Sequence, residues 1–505
     1  MQPRDINCMA VVGAGVMGAG IAQIAALAGV TVYLFDRREG AAQAARQNIQ
    51  RTLETLAGKG KLNADQVLAA AQRLLPVDDL SELADCQLVV EAIIEDLAAK
   101  RALFAELETI VSDGCLLASN TSSLSVTAIA AQCRLPARVG GFHFFNPVPL
   151  MKIVEVIEGL QSAPWVGQTL LALGTRFGHL AVRAQDTPGF IVNHGGRGYG
   201  TEAMRVLSES VTQPVELDRI LREQAGFRMG PCELFDLTGL DVSHPVTESI
   251  YQQYFQEPRY RPTLITRQRL EAGLLGRKTG EGFYRYIDGQ QQVPAEQPPA
   301  PVPDIPVWVS NVRPAARARV VSLLATLGVK VEPGMRPSPE ALCIVLPLGV
   351  DASLSAQAEQ LDPRRTLALD TWLPLERRRV LMTTVATTAQ WREAARALLA
   401  ADGVAVSVIR DSAGFVSQRV LAQIINIACD MAQQRVASPA DIDNAIRLGL
   451  GYPQGPLSWG DELGAETVLE VLDQLYSYYR DPRYRPSPWL MRRAGLRLSL
   501  LTADT

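Results

Sequence analysis

A histidine and a carboxylate are spaced here for proton transfer from an alcohol. His143 lies in the run Gly140-Gly141-Phe142-His143-Phe144-Phe145-Asn146-Pro147, twenty-one residues after Ser122 and twelve before Glu155. An imidazole can take a hydroxyl proton near neutral pH, and an anion on the next strand can hold and tune that base. Taken alone, His143 reads more readily as a hydrogen-bonded core histidine in an apolar loop. The residues upstream decide between the two.

Met9-Ala10-Val11-Val12 reads as a short buried strand, followed by Gly13-Ala14-Gly15-Val16-Met17-Gly18 and an Ala-rich helical stretch to about Gly29. Thr31-Val32-Tyr33-Leu34-Phe35 reads as a second strand that ends in Asp36. Gly13 permits the tight turn, Gly15 lets backbone approach a pyrophosphate, and Gly18 lets the helix sit close on the sheet. Val16 and Met17 open that helix, whose free N–H groups and dipole attract phosphate. Asp36 is placed to accept a bond from a ribose hydroxyl and favours NAD over NADP, whose 2′-phosphate it repels. Arg37 and Arg38 beside it weaken that preference.

Cys8 to Val30 carries no charge, a length that would allow a membrane span. The fingerprint glycines, Gln23 within the segment and the lack of a positive leader beyond Arg4 argue for a nucleotide-binding unit instead. The seven cysteines form no Cys-x-x-Cys pair and no even framework, so a reducing cytoplasm is expected. No His/Cys/Asp cluster has metal-ligand spacing. A net charge of −4 gives no reason to expect nucleic acid as a partner.

The 505 residues are enough for several domains. Alternating strand and helix patterns predict a parallel-sheet α/β domain over 1–185, with Leu88-Val89-Val90-Glu91-Ala92 and Cys115-Leu116-Leu117-Ala118 as buried strands. A helical domain follows over 186–289, closed by Gly282-Phe283-Tyr284-Arg285-Tyr286. A Pro-rich stretch, 290–306, reads as an extended spacer. The chain then repeats itself. Asp186-Thr187-Pro188-Gly189-Phe190 returns as Asp411-Ser412-Ala413-Gly414-Phe415, and Gly230-Pro231 as Gly455-Pro456, both at an offset of 225. Pro258-Arg259-Tyr260-Arg261-Pro262 returns as Pro482-Arg483-Tyr484-Arg485-Pro486. Residues 307–410 read as a degenerate copy of the first sheet without a Gly-rich loop, and 411–505 as a second helical domain. Loose alignment sets Asp370-Thr371-Trp372 against Asn120-Thr121-Ser122 and Thr384 against His143.

At these residues the chain resembles the 3-hydroxyacyl-CoA dehydrogenases, most of all the long bacterial members that act on 3-hydroxyadipyl-CoA or 3-hydroxybutyryl-CoA in phenylacetate degradation. The likeness rests on Gly13–Gly18, Val89-Val90-Glu91-Ala92-Ile93, Asn120-Thr121-Ser122-Ser123, His143-Phe144-Phe145-Asn146-Pro147, Met151-Lys152-Ile153-Val154-Glu155, Asp186–Asn193, Met229-Gly230-Pro231 and Lys278-Thr279-Gly280. It implies a Rossmann-type NAD-binding domain followed by an all-α domain of the 6-phosphogluconate-dehydrogenase type. It makes His143 the general base, oriented by Glu155, with Ser122 and Asn193 bonding the reacting oxygen and the substrate. It places Glu95, Lys100, Asn120 and Asn146 at the NAD site, and Thr52 and Lys59 beside coenzyme A. Arg228 and Arg197 are placed where a cation could reach a carboxylate at the far end of an acyl chain, and each also reads as a surface arginine or a partner for a local aspartate. Two helical units in one chain imply an intrachain pseudo-dimer, with room for further homo-oligomerisation. One stretch departs from the family: His194-Gly195-Gly196-Arg197-Gly198-Tyr199-Gly200 replaces an ordinary helix start and predicts a soft turn. Two other readings stay open here, a nucleotide-binding scaffold without chemistry and a phosphosugar dehydrogenase, the latter expected to use a lysine base.

Overall fold

In the computed structural model, which describes residues 3–504, buried aliphatic runs build an eight-stranded sheet. Its strands are β1 (Cys8–Val12), β2 (Thr31–Phe35), β3 (Leu74–Pro76), β4 (Leu88–Glu91), β5 (Leu116–Ser119), β6 (Val139–Phe144), β7 (Ile153–Glu158) and β8 (Leu180–Gln185). Their order is β3-β2-β1-β4-β5-β6-β7-β8, and every neighbouring pair is parallel except β6 with β7. Strands β4, β5 and β6 are buried throughout, as a sheet covered on both faces requires. Strand order reverses beside β1, where open α/β sheets take their ligands. The antiparallel register of β6 and β7 sets His143 directly opposite Glu155.

The chain forms two compact units. One joins Met1–His194 to Met431–Gly451 and Ala503–Thr505; the other joins Gly195–Asp430 to Tyr452–Thr502. Within the first, the helix Pro439–Leu450 packs on β7 and β8, although it belongs to the second helical copy. A Cβ on Gly449 would lie 2.7 Å from Val192 Cγ2, so glycine lets that helix sit against Val192.

Within the second unit, β9 (Tyr286–Ile287) and β10 (Gln290–Gln291) form a short hairpin. A five-stranded sheet then runs β11 (Val307–Val309), β12 (Leu342–Val345), β13 (Thr366–Leu369), β14 (Arg378–Thr383) and β15 (Ala405–Ile409), in that order. Only β13 and β14 pair antiparallel, so this sheet repeats β4 to β8 and has no counterpart of β1 to β3. The strand that would carry a glycine-rich turn is therefore missing. Hydrogen bonds repeat with the fold. Asp186 accepts from Thr127 N at 2.7 Å and Asp411 from Ala352 N at 2.8 Å; Asn193 Nδ2 donates to Ser122 O at 3.2 Å and Gln418 Nε2 to Pro347 O at 3.3 Å.

These registers overturn the loose alignment of the second sheet. Ser122 corresponds to Pro347, and Glu155 to Val380. Asp370 N donates to Val380 O at 3.0 Å, so Asp370, not Thr384, stands where His143 stands. The connection between the paired residues is two residues shorter in the second copy, a shift that only pairing reveals. Asp370 is buried and accepts from Gln418 Nε2 (3.0 Å), Trp372 N (3.1 Å) and Gln224 Nε2 (3.2 Å). Burial pushes its carboxyl up, and these donors oppose the push.

The glycine-rich stretch is helical rather than a turn, as Val192–Gly195 and Arg197–Ser208. A Cβ on Gly198 would lie 3.1 Å from Ile424 Cα and 3.2 Å from its nitrogen. Glycine thus allows Arg197–Ser208 to cross the helix Val416–Gln433 backbone to backbone. Beside that crossing, buried Glu202 accepts from Arg419 Nε (2.8 Å), Arg483 Nη1 (3.0 Å) and Tyr484 OH (2.7 Å). Burial opposes its ionisation, but the two arginines prevail and hold its carboxyl below the usual range. The spacer is pinned at its start: Arg219 donates to Pro294 O, Glu296 pairs with Arg378, and Gln297 O accepts from Arg396. Among the described residues no helix is long and apolar enough to cross a membrane.

Candidate active site

The end of β6 and the middle of β7 bring the base and its anion together. His143 Nδ1 lies 2.6 Å from Glu155 Oε2, with His143 4 % exposed and Glu155 fully buried. The other oxygen, Oε1, accepts from Ile191 N and Val192 N at 2.9 Å each. A carboxylate accepts, so Nδ1 is the ring nitrogen that donates in this bond and Nε2 is left to face other partners. Phe145 and Phe190 flank the ring at 4.4 and 5.7 Å between centroids. Phe190 holds a left-handed conformation (φ 49°), which turns the chain so that the next two N–H groups reach Glu155. Asn193 follows at once, and its amide bond to Ser122 O ties the start of its helix to the Ser122 loop.

That loop is fixed by a buried ion network. Lys100 is 1 % exposed and reaches Glu91 Oε1 at 2.6 Å and Glu95 Oε2 at 3.2 Å. Glu95 Oε1 accepts from Thr121 Oγ1 (2.6 Å), Ser122 N (2.9 Å), Ser123 N (3.0 Å) and Ser123 Oγ (3.0 Å). Burial works against the Glu95 anion, yet these donors and Lys100 bring its carboxyl down to about 2. Lys100, enclosed between two carboxylates, acts through Glu95. Asn120 Oδ1 accepts from Phe144 N at 2.9 Å and so braces the strand end beside His143, while Asn146 is exposed on the following turn.

The Gly-rich turn opens on a cavity of about 390 Å³ whose walls include Gly13, Gly15, Asp36, Arg38, Ile94 and Leu103. A Cβ on Gly13 (φ +105°) would lie 2.5 Å from Ala92 O, so only glycine fits. Gly15 differs: a Cβ there would meet no protein atom within 4 Å. No neighbour demands glycine at that position, which fits a backbone kept bare for a ligand. Gly18 lies against Gly13 O, and Val16 and Met17 start the helix Val16–Leu27. Asp36 faces the cavity and accepts from Ala14 N at 2.8 Å; its partial burial favours the neutral acid, but bonds from Arg38 and Ala14 outweigh it and lower the carboxyl. Bare turn, helix start and acid together suit a dinucleotide.

The remaining expected residues each have their own surroundings. Thr52 is exposed on the helix Ala41–Gly58, its hydroxyl bonded to Asn48 O at 2.9 Å, and Lys59 caps that helix at the surface. Arg228 is exposed in the second unit, where Arg197 donates to Thr247 Oγ1 at 2.7 Å. Sequence reading missed Glu91, Thr121, Phe190 and Asp186. Asp186 accepts from Ser125 Oγ (2.7 Å), Val126 N (2.9 Å) and Thr127 N, fixing the helix after the Ser122 loop. Its signal was present, because Asp186 opens the motif that recurs at Asp411.

Comparison with known proteins identifies the family. The profile of the NAD-binding domain of 3-hydroxyacyl-CoA dehydrogenase matches residues 8–187, and that of the C-terminal domain matches 189–286 and again 414–497. The chain is 38% identical over 499 residues to 3-hydroxyadipyl-CoA dehydrogenase of Escherichia coli K12, covering 97% of this chain and 98% of the relative. It is 39% identical over 282 residues to a probable 3-hydroxybutyryl-CoA dehydrogenase of Bacillus subtilis, 56% of this chain and 98% of the relative. The crystal structure of a 3-hydroxybutyryl-CoA dehydrogenase from Escherichia coli K12 matches with a TM-score of 0.84 at 36% identity, over 98% of this chain and 99% of that one.

Proposed function

Since the chain belongs to the 3-hydroxyacyl-CoA dehydrogenase family, an NAD-dependent class of oxidoreductases, we propose that it oxidises L-3-hydroxyacyl-CoA thioesters with His143 as general base and 3-hydroxyadipyl-CoA as preferred substrate. The observation that carries the proposal is the His143–Glu155 pair, whose carboxylate is held from the far side by two backbone N–H groups. His143 Nε2 takes the 3-hydroxyl proton. Glu155 keeps the ring in the productive tautomer and stabilises its protonated form. Ser122 and Asn193 bond the reacting oxygen. Gly13, Gly15, Val16, Met17, Gly18, Asp36, Asn120 and Asn146 hold NAD, which supplies the hydride acceptor when bound. Glu95 and Lys100 serve the same site by fixing residues 121–123.

Thr52 and Lys59 meet coenzyme A, and Arg228 or Arg197 reads the distal carboxylate, since a guanidinium fork matches a carboxylate with two bonds. The two helical copies act as each other's partner, an intrachain pseudo-dimer that leaves further assembly open, and a cytoplasmic location suits the seven free cysteines. The test follows NADH formation with 3-hydroxyadipyl-, 3-hydroxyhexanoyl- and 3-hydroxybutyryl-CoA in wild type, Arg228→Met and Arg197→Met. A carboxylate reader loses efficiency on the dicarboxylic substrate alone. Wild-type indifference among the three would make the enzyme a general short-chain dehydrogenase, and no turnover of any would refute the reaction.

A further inference from the structure

Asp36 is held by four donors. Ala14 N reaches Oδ2 at 2.8 Å and Arg38 N reaches Oδ1 at 2.9 Å, both fixed by the backbone. The other two belong to the Arg38 guanidinium, Nε to Oδ1 at 3.1 Å and Nη2 to Oδ2 at 3.4 Å. The Arg38 side chain is 74% exposed, against 12% for Asp36. The ribose diol of NAD needs the same Asp36 lone pairs. An exposed ion pair is weak, so the fork yields to the diol, but at a cost to affinity.

A 2′-phosphate approaches the same spot and would be repelled by a bare carboxylate. With the fork beside it, Asp36 presents little net charge, and guanidinium matches phosphate with parallel N–H donors. Arg37 instead turns to Glu106, its Nη2 lying 3.2 Å away in a weak surface pair, and makes no bond to Asp36. Both arginines border the cavity, but only Arg38 engages the acid.

We propose that Arg38 is a second cofactor-specificity residue. It competes with the ribose of NAD for Asp36 and lends the site a cation for the 2′-phosphate of NADP, so the chain separates the two cofactors less sharply than Asp36 alone dictates. The inference rests on reading this cavity as the NAD site.

The experiment titrates NADH and NADPH by nucleotide fluorescence into the full-length wild type, Arg38→Gln and Arg37→Gln. In Arg38→Gln, NADH tightens by about two- to fivefold as the competing pair is removed, and NADPH weakens by at least about tenfold as its cation is lost. Arg37→Gln shifts neither affinity by more than about twofold. Weaker NADH binding in Arg38→Gln, unchanged NADPH binding, or equal effects of the two variants would overturn the role of Arg38. Failure of the wild type to bind either nucleotide would instead overturn the cofactor reading beneath it.

Discussion

Replacing Glu155 with Gln keeps the shape of the side chain and reverses half of its hydrogen bonding. Ile191 N–H and Val192 N–H can only donate, so the one remaining carbonyl oxygen must face them. The new amide N–H₂ then faces His143 Nδ1, 2.6 Å away in the parent, where Nδ1–H now stands. Two donors cannot meet at that distance. The imidazole relieves the clash by moving its proton to Nε2, which leaves no lone pair for the substrate hydroxyl. The variant should fold, because both backbone donors keep an acceptor and the new amide finds one in Nδ1. Glu155→Ala, by contrast, strands three buried donors at roughly 1–3 kcal/mol each. We therefore expect Glu155→Gln to lower kcat by about 10²–10⁴-fold, with NADH affinity and the near-UV circular dichroism spectrum retained. Steady-state rates, with NADH titration on the same preparations, decide the matter. Turnover within about fivefold of wild type would reduce Glu155 to a structural residue.

Changing His143 to Ala should cut turnover at least about a hundredfold while NADH binding persists; comparable turnover would remove it as the base. Asp218 is buried against Tyr284 OH (2.7 Å), Cys232 N and Glu233 N (3.0 Å each), and burial pushes its carboxyl up from 3.8 to about 7. The unfolded chain releases that proton at lower pH than the folded one, so stability should fall as pH rises from about 4 to about 7, by a few kcal/mol, and then level off. Asp218→Asn should lose that slope in urea unfolding across the range, and a persisting slope would assign it to other groups. A chain ending near Gly289 lacks the helix Pro439–Leu450 behind β7 and the helix that covers Gly198. It should aggregate or self-associate in analytical ultracentrifugation, whereas a stable, active monomer would refute the partnership of the two halves.

The first sheet was legible because its strands are short apolar runs bounded by glycine and acid; Thr31–Phe35 is a strand from end to end, as its residues indicate. His143 and Glu155 were legible as a pair of types at a distance, but their bond depends on β6 and β7 being antiparallel within an otherwise parallel sheet. Nothing in either segment announces that reversal. The support around Glu95 was hidden for a related reason. One carboxylate oxygen gathers donors from Thr121, Ser122 and Ser123, which are distant in sequence. Alignment of the second sheet failed because a connection two residues shorter moves Asp370 into the position of His143 while leaving the apolar pattern of both strands intact.

The glycines from Gly195 to Gly200 link these observations to the length of the chain. As a local cost, glycine in a helix argues for softness, at about 1 kcal/mol each. The compensation is the crossing at Gly198, where a methyl group would press on the Ile424 backbone, with the Glu202–Arg419–Arg483 network alongside. An anion buried beneath two arginines is tolerated only where the geometry stays fixed. The exchange runs both ways between the copies. The first copy places Glu223 against Arg378 of β14 at 2.8 Å and Gln224 against Asp370, so an amide meets the second sheet's equivalent of the His143 position. The second copy places Pro439–Leu450 on β7, the strand that carries Glu155, with Gly449 against Val192. A duplicated half without a nucleotide turn or a counterpart of His143 thus still packs against the strand that carries Glu155 and the helix start whose N–H groups that carboxylate accepts from.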